Sequence, residues 1–253
     1  MKEFSVGKTL DYAWALTKKH AFPMVGLLLL LCLVYYLAEF ILGAIFSMSS
    51  FVTMLGTLKA GNPHEALASL ISMFAGMIPA MIMYTVCMSV VYTVMHVGYY
   101  NTALRLVNGS ASRVEFSSFK LPVLTFVKVF FASWLKSLLV GIATLFCILP
   151  GIFVAVRLMF VEVALIEDSE LPFFDAYKKS WDITRSHFWS LLLLGIVVFI
   201  LNIVGLCCCC VGILCTIVIS LFAFMVAYVI LSGTAFVFAS DTSDNQTQEI
   251  SEV

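Results

Sequence analysis

Four thiols stand side by side at Cys207, Cys208, Cys209 and Cys210, and four ionisable residues, Glu39, Lys136, Arg157 and Glu162, interrupt long apolar runs. Clustered cysteines bind metals, form disulfides or carry acyl chains, whereas charges inside apolar runs conduct ions or hold helices together. A metal suits the cysteine run poorly. Four consecutive helical residues spread over ~300°, so only Cys207 and Cys210 would share a face. A tetrahedral thiolate site wants paired ligands from two places, and there is no second C-x-x-C. Two readings stand: a disulfide from Cys147 to Cys207, Cys208, Cys209 or Cys210, or a turn in which cysteine serves as a small, polarizable hydrophobe. Acylation would prefer a cytoplasmic juxtamembrane site. The histidines, His20, His64, His96 and His187, fall in no catalytic pattern, and no G-x-S-x-G, P-loop, H-E-x-x-H or dinucleotide fingerprint occurs. The expectation is no catalytic site, no metal, no cofactor and no enzyme.

Composition determines which elements position these residues. Of 253 residues, 62% are hydrophobic and 11% charged, whereas soluble domains carry about 25% charge. The expected fold is all-α, a single polytopic membrane domain over residues 1–240. Spans of about 20 apolar residues suffice to cross a bilayer, and six are expected: 22–46, 79–100, 122–148, 151–166, 189–206 and 212–239. Pro79 should divide the long apolar region from Ala68 to Tyr100, because proline removes a donor and clashes with the preceding turn. Asn108 and Gly109 should stop the helix that follows. Pro150 and Gly151 should form a tight hairpin, and the cysteine run the turn of the last one. The first apolar run is too long for a cleaved signal and lacks a small-residue cleavage site. Residues 241–253 read as an acidic, disordered tail.

Ten cationic residues lie on one side of this plan: Lys2, Lys8, Lys18, Lys19, Arg105, Arg113, Lys120, Lys178, Lys179 and Arg185. The other side has only Lys59. That asymmetry predicts cytoplasmic termini and an external cysteine run.

An internal repeat, WALTKKH at 14–20 and WDITRSH at 181–187, precedes two of the spans. Both copies read as amphipathic elbow helices, 4–20 and 171–187, lying in the cytoplasmic headgroups. Trp14, Lys18, His20, Trp181, Arg185 and His187 are the expected headgroup contacts. In the second copy Phe174, Tyr177, Trp181, Thr184 and Phe188 form the apolar stripe, while Asp175–Lys179 and Lys178–Asp182 pair at i,i+4. Residues 115–128 read as a degenerate third elbow. The plan is then three in–out–in hairpins, each behind a cytoplasmic elbow.

Residues 149–192 carry Pro150, Gly151, Ile152, Arg157, Phe160, Glu167, Ala176, Ser180, Trp181, Thr184, Arg185 and Trp189. This pattern resembles a bacterial membrane family that includes the YciC-like proteins and the integral-membrane domain attached to some glycerophosphodiester phosphodiesterases. The resemblance implies a six-span bacterial inner-membrane protein and supplies no substrate. The chain departs from it at Glu162 and at the cysteine run, and has no soluble phosphodiesterase domain.

Counting helical rise from Pro150 puts Glu162 ~18 Å and Lys136 ~20 Å along neighbouring helices, with Arg157 and Glu39 both ~10 Å from the outer ends. Two intramembrane pairs follow, Lys136–Glu162 and Glu39–Arg157. They serve either as helix glue or as a polar pathway for an ion, proton or headgroup. Small residues four apart, at Ser72–Gly76–Ala80, Ser137–Gly141, Gly43–Ser47 and Ala223–Ala227, should mark close helix contacts. The leading functional reading is a non-catalytic membrane protein acting through lipid or membrane-protein partners. Its rivals are a small transporter or flippase and a subunit of a larger complex; homo-oligomers fit, and nucleic acid does not.

Overall fold

The computed structural model describes residues 5–57, 63–110, 114, 121–207 and 209–233. These residues are all-helical, without a strand: α1 Val6–Thr57, α2 Pro63–Val107, α3 Val123–Phe146, α4 Ile148–Arg157, α5 Val161–Glu167, α6 Phe173–Arg185, α7 Phe188–Cys207 and α8 Cys209–Ser232. Six stretches are long and apolar enough to cross a membrane: Val6–Met48, Met77–Val107, Val123–Phe146, Ile148–Glu167, Phe188–Cys207 and Gly212–Ser232. They coincide with the six expected spans, and their composition is that of a multi-pass membrane protein. Residues 234–239, the tail 241–253 and residues 115–120 of the third elbow lie outside the described residues.

The break expected at Pro79 does not occur, and Pro23 likewise lies inside a helix. Pro23 sits inside α1, so the first elbow and the first span form one 52-residue helix. Pro79 sits inside α2, which stays continuous over 45 residues. The reason is hydrogen-bond arithmetic. A proline forfeits one backbone bond at a cost of about 3 kcal/mol, whereas ending a helix strands four donors and four acceptors. In an apolar sequence nothing would receive them. Helix α2 does stop at Val107, as expected: Asn108 N–H donates to Leu104 O and Gly109 N–H, at φ 68°, to Leu106 O.

The chain forms two compact units, residues 29–95 and residues 1–28 with 96–253. In the smaller unit Phe46 meets Tyr84 edge-on at 5.6 Å. Gly43 and Ser47 line a cavity of about 240 Å³ with Ala80 and Met81. The close contact expected at Gly43–Ser47 is absent, since a Cβ at Gly43 would meet nothing within 4 Å. The side chains at 72 and 76 lie outside the described residues.

In the larger unit α3 and α4 run antiparallel, with the reversal at Cys147, whose backbone is extended. Pro150 therefore lies in the first turn of α4 rather than in the hairpin turn, where its missing donor costs nothing. Gly151 packs so closely on Thr144 that an added Cβ would collide with it. The helices α7 and α8 also run antiparallel: Asn202 Nδ2 donates to Ser220 Oγ at 2.8 Å, and Gly205 lies against Thr216. Helix α7 ends at Cys207 and α8 begins at Cys209, and residue 208, where the expected turn would fall, lies outside the described residues. Helix α8 is the core element, buried on all sides over Val226–Val229, with Ala223 and Ala227 fully inaccessible.

The expected fourth span is broken at Leu158–Phe160, dividing it into α4 and α5. Ser180 on α6 satisfies both ends of that break. Its hydroxyl donates to Arg157 O at 2.8 Å and accepts from Phe160 N–H at 3.3 Å. This contact also shows which face of α6 turns inward. Ala176, Ser180 and Thr184 are buried, while Phe174 and Trp181 of the aromatic stripe stand exposed. Small side chains let α6 approach a bare backbone that bulky rings could not reach. Pro172 is the N-cap residue of α6 rather than part of its first turn.

Glycine substitutions separate the close contacts from the open ones. Gly205→Ala should destabilise the protein by about 1–3 kcal/mol through overpacking against Thr216. Gly195→Ala, where a Cβ meets nothing within 4 Å, should be neutral or stabilising by up to about 1 kcal/mol. Tryptophan-fluorescence melting in detergent micelles checks both; equal behaviour of the two variants would contradict the packing.

Candidate functional site

Glu162 is the centre of the larger unit's polar interior. It lies in the first turn of α5 with its side chain 6% exposed. Lys136 Nζ on α3 meets Oε1 at 2.5 Å, which realises the expected pair. Ser133, one turn earlier on α3, donates to the same oxygen at 2.9 Å. His96 Nδ1 on α2 stands 3.5 Å from Oε2, and its ring contacts that of Tyr100 at a centroid distance of 3.8 Å. Three helices thus converge on one carboxylate. Ser133 was legible in principle, because it shares a face of α3 with Lys136. His96 was not, because nothing local in the sequence says which way α2 turns it.

A second network surrounds the join of α5 and α6. Lys179 Nζ binds Glu167 Oε2 at 2.8 Å, and Tyr228 of α8 donates to the same oxygen at 2.5 Å. Lys179 is thereby taken by Glu167 rather than Asp175, and Lys178 pairs with Asp175 at 2.9 Å rather than with Asp182. The Asp175 carboxylate raises the Lys178 pKa, chiefly through their hydrogen bond. Lys128 donates to the carbonyls of Ser169 and Leu171, at 2.9 and 3.0 Å, and so secures the connecting loop. Tyr177 donates to Ala132 O at 2.8 Å. Burial first, and the Glu162 carboxylate second, push its hydroxyl up to about 12, so it remains a donor at neutral pH.

Arg157 has an aromatic setting within the larger unit. Its guanidinium lies over three rings of its own unit, 5.0 Å from Phe153 and Trp181 and 5.5 Å from Phe188. Cation–π attraction holds it there; Glu39, the partner predicted from the sequence, belongs to the smaller unit. The motif residues of 149–192 therefore have a shared structural task. Arg157, Ser180, Trp181 and Thr184 assemble one joint between a broken helix and α6.

The two repeat copies match in detail. Thr17 Oγ1 donates to Ala13 O at 2.7 Å, and Thr184 Oγ1 donates to Ser180 O at 2.9 Å. Both copies bury these small residues and expose Trp14, Lys18, Trp181 and Arg185. Lys18 Nζ stands 5.4 Å from the Trp14 ring. His20 departs from the expected headgroup role, being only 7% exposed, and His187 is half-buried.

Of the two readings of the cysteine run, the disulfide is absent where it can be seen: Cys147 and Cys207 are free thiols. The side chains of Cys208, Cys209 and Cys210 lie outside the described residues. Among the described residues no group of three histidine, cysteine or acidic side chains could hold a metal.

Beside Lys136 opens a cavity of about 550 Å³, lined also by Tyr100, Ser137, Gly141, Met159 and Phe224. Ser137 and Gly141 thus leave space rather than a close helix contact; a Cβ at Gly141 would meet nothing within 4 Å. Comparison with protein-family models, curated proteins and solved structures finds no match.

The charge pair makes a sharp stability test. Lys136→Met should cost about 3–5 kcal/mol, because it leaves Glu162 buried beside only Ser133 and His96. Lys136→Met with Glu162→Met should recover most of that loss. Thermal unfolding in detergent reads the difference; a double variant no more stable than the single would contradict the pairing.

Proposed function

We propose that this chain is a non-catalytic protein of a bacterial inner membrane that acts through lipids and membrane-protein partners. Its termini are cytoplasmic, and its spans form three in–out–in hairpins behind interfacial helical segments. The observation that carries this reading is the matched pair of repeat segments. Each buries small residues and turns a tryptophan and a cation outward, Trp14 with Lys18 and Trp181 with Arg185. Indole rings at headgroup level and cations facing anionic phosphates are a favourable combination. The resemblance of residues 149–192 to the YciC-like family supports the same assignment. The excess of Lys and Arg on one side supports the orientation.

A transporter or flippase for a lipid-like or ionic substrate is the second reading. The cavity reaching Lys136 favours it, because a charge at membrane depth that borders open space is where a substrate would bind.

Lipid retention tests the first reading. Lys18→Gln with Arg185→Gln should lower the enrichment of anionic phospholipid on the purified protein by at least about tenfold, at ~1 kcal/mol per cation. Native mass spectrometry from mixed phosphatidylethanolamine and phosphatidylglycerol nanodiscs reads it. Unchanged enrichment would sink the headgroup role of the two segments. A stoichiometric protein partner retained in mild detergent would redirect the assignment to a complex subunit.

A further inference from the structure

We propose that the cavity beside Lys136 binds an amphiphile, with an anionic oxygen head, phosphate or carboxylate, on the lysine and an apolar chain in the remaining space. This deepens the lipid-interaction reading above and rests on it. The cavity, at about 550 Å³, falls within the ~300–1,000 Å³ typical of small-molecule sites. Its polar lining consists of Tyr100, Lys136 and Ser137, and the rest, including Met159, Phe224 and Met225, is apolar. Such a lining accommodates a hydrocarbon chain better than a fully polar solute.

The ammonium is the group that selects the head. Lys136 carries three N–H donors. One meets Glu162 Oε1, and the other two have no protein acceptor among the described residues. Lys136 lines the cavity and Glu162 does not, so a ligand meets the cation and not the anion. Glu162 is held away from it by Ser133 and His96. A cationic head would be repelled by Lys136, and a head without acceptors would leave its N–H groups unsatisfied in an apolar span, which costs several kcal/mol. The cavity exists because α3 presents Ser137 and Gly141 one turn apart, and a Cβ at Gly141 meets nothing within 4 Å. A side chain at this position therefore starts in open space, from which a larger residue can extend into the cavity.

Photo-crosslinking distinguishes the two sources of such a head. The protein in phosphatidylethanolamine nanodiscs is offered either diazirine-bearing palmitate or phosphatidylglycerol with the diazirine on its acyl chain. Labelled peptides are then mapped by mass spectrometry. One probe should label α3 and the α8 peptide containing Phe224 and Met225. Labelling by palmitate assigns a free carboxylate, and labelling by the phospholipid assigns a membrane phosphate. Gly141→Leu and the double variant Lys136→Met, Glu162→Met should each reduce that labelling at least about tenfold while retaining the wild-type gel-filtration profile. Should one variant fail to fold, Ala155→Leu, which fills the same cavity from α4, replaces it. Labelling by neither probe, or labelling unchanged in the cavity-filled variants, overturns the proposal. The Lys18 and Arg185 measurement reports on the surface segments separately, so surface lipid enrichment that persists without cavity labelling refutes this inference alone.

Discussion

A carboxylate removed from water has to be neutralised where it lies, and Glu162 imposes that condition on the larger unit. Its partners come from α2, α3 and, through its own position, α5. The α3–α4 reversal and the break before α5 must both place Glu162 opposite Lys136 and Ser133. The Coulomb attraction of such a pair is large only because the surroundings are poorly polarizable, and for the same reason a lone partner would be costly. Geometry at this point is therefore strongly constrained, whereas most of the apolar surface around it could repack with little loss.

The same condition explains how the backbone is arranged. Helices persist through Pro23 and Pro79 because one lost bond is cheaper than eight stranded groups. Among the described residues, the break within an apolar span at Leu158–Phe160 is one where Ser180 supplies both an acceptor and a donor. Irregular backbone is tolerated in such a setting when protein groups receive its free N–H and C=O. The motif centred on Arg157, Ser180, Trp181 and Thr184 is thus accounted for by folding before any ligand is invoked. The cavity at Lys136 is different, since Ser137 and Gly141 leave space that apolar side chains of ordinary size would have filled. That space opens at a surface where Ser137 and Gly141 are exposed, so the cation borders an accessible groove rather than a sealed interior.

Much of this was readable from the residues. Six apolar stretches and an all-helical chain follow from composition and run length, which depend only on the medium each segment must inhabit. The Lys136–Glu162 pair was also legible, because both residues sit on helices joined by a short turn and helical rise fixes their depth. The paired segments at Trp14 and Trp181 share a spacing that the structure turns into matching buried hydroxyls.

Other features depended on facing, which no local pattern encodes. Nothing local in the sequence says that the Arg157 guanidinium lies over three aromatic rings drawn from α4, α6 and α7. Of the apolar stripe of α6, Thr184 faces inward with Ala176 and Ser180 while Phe174 and Trp181 stay exposed, because small residues reach the open backbone at Arg157. His96 joins Glu162 from far along the chain. The sequence by itself determined which segments avoid water and how far along them each charge lies, since hydrophobicity and helical rise are properties of single segments. The tertiary structure alone decided which side chains meet, because rotation about each helix axis is set by the packing of its neighbours.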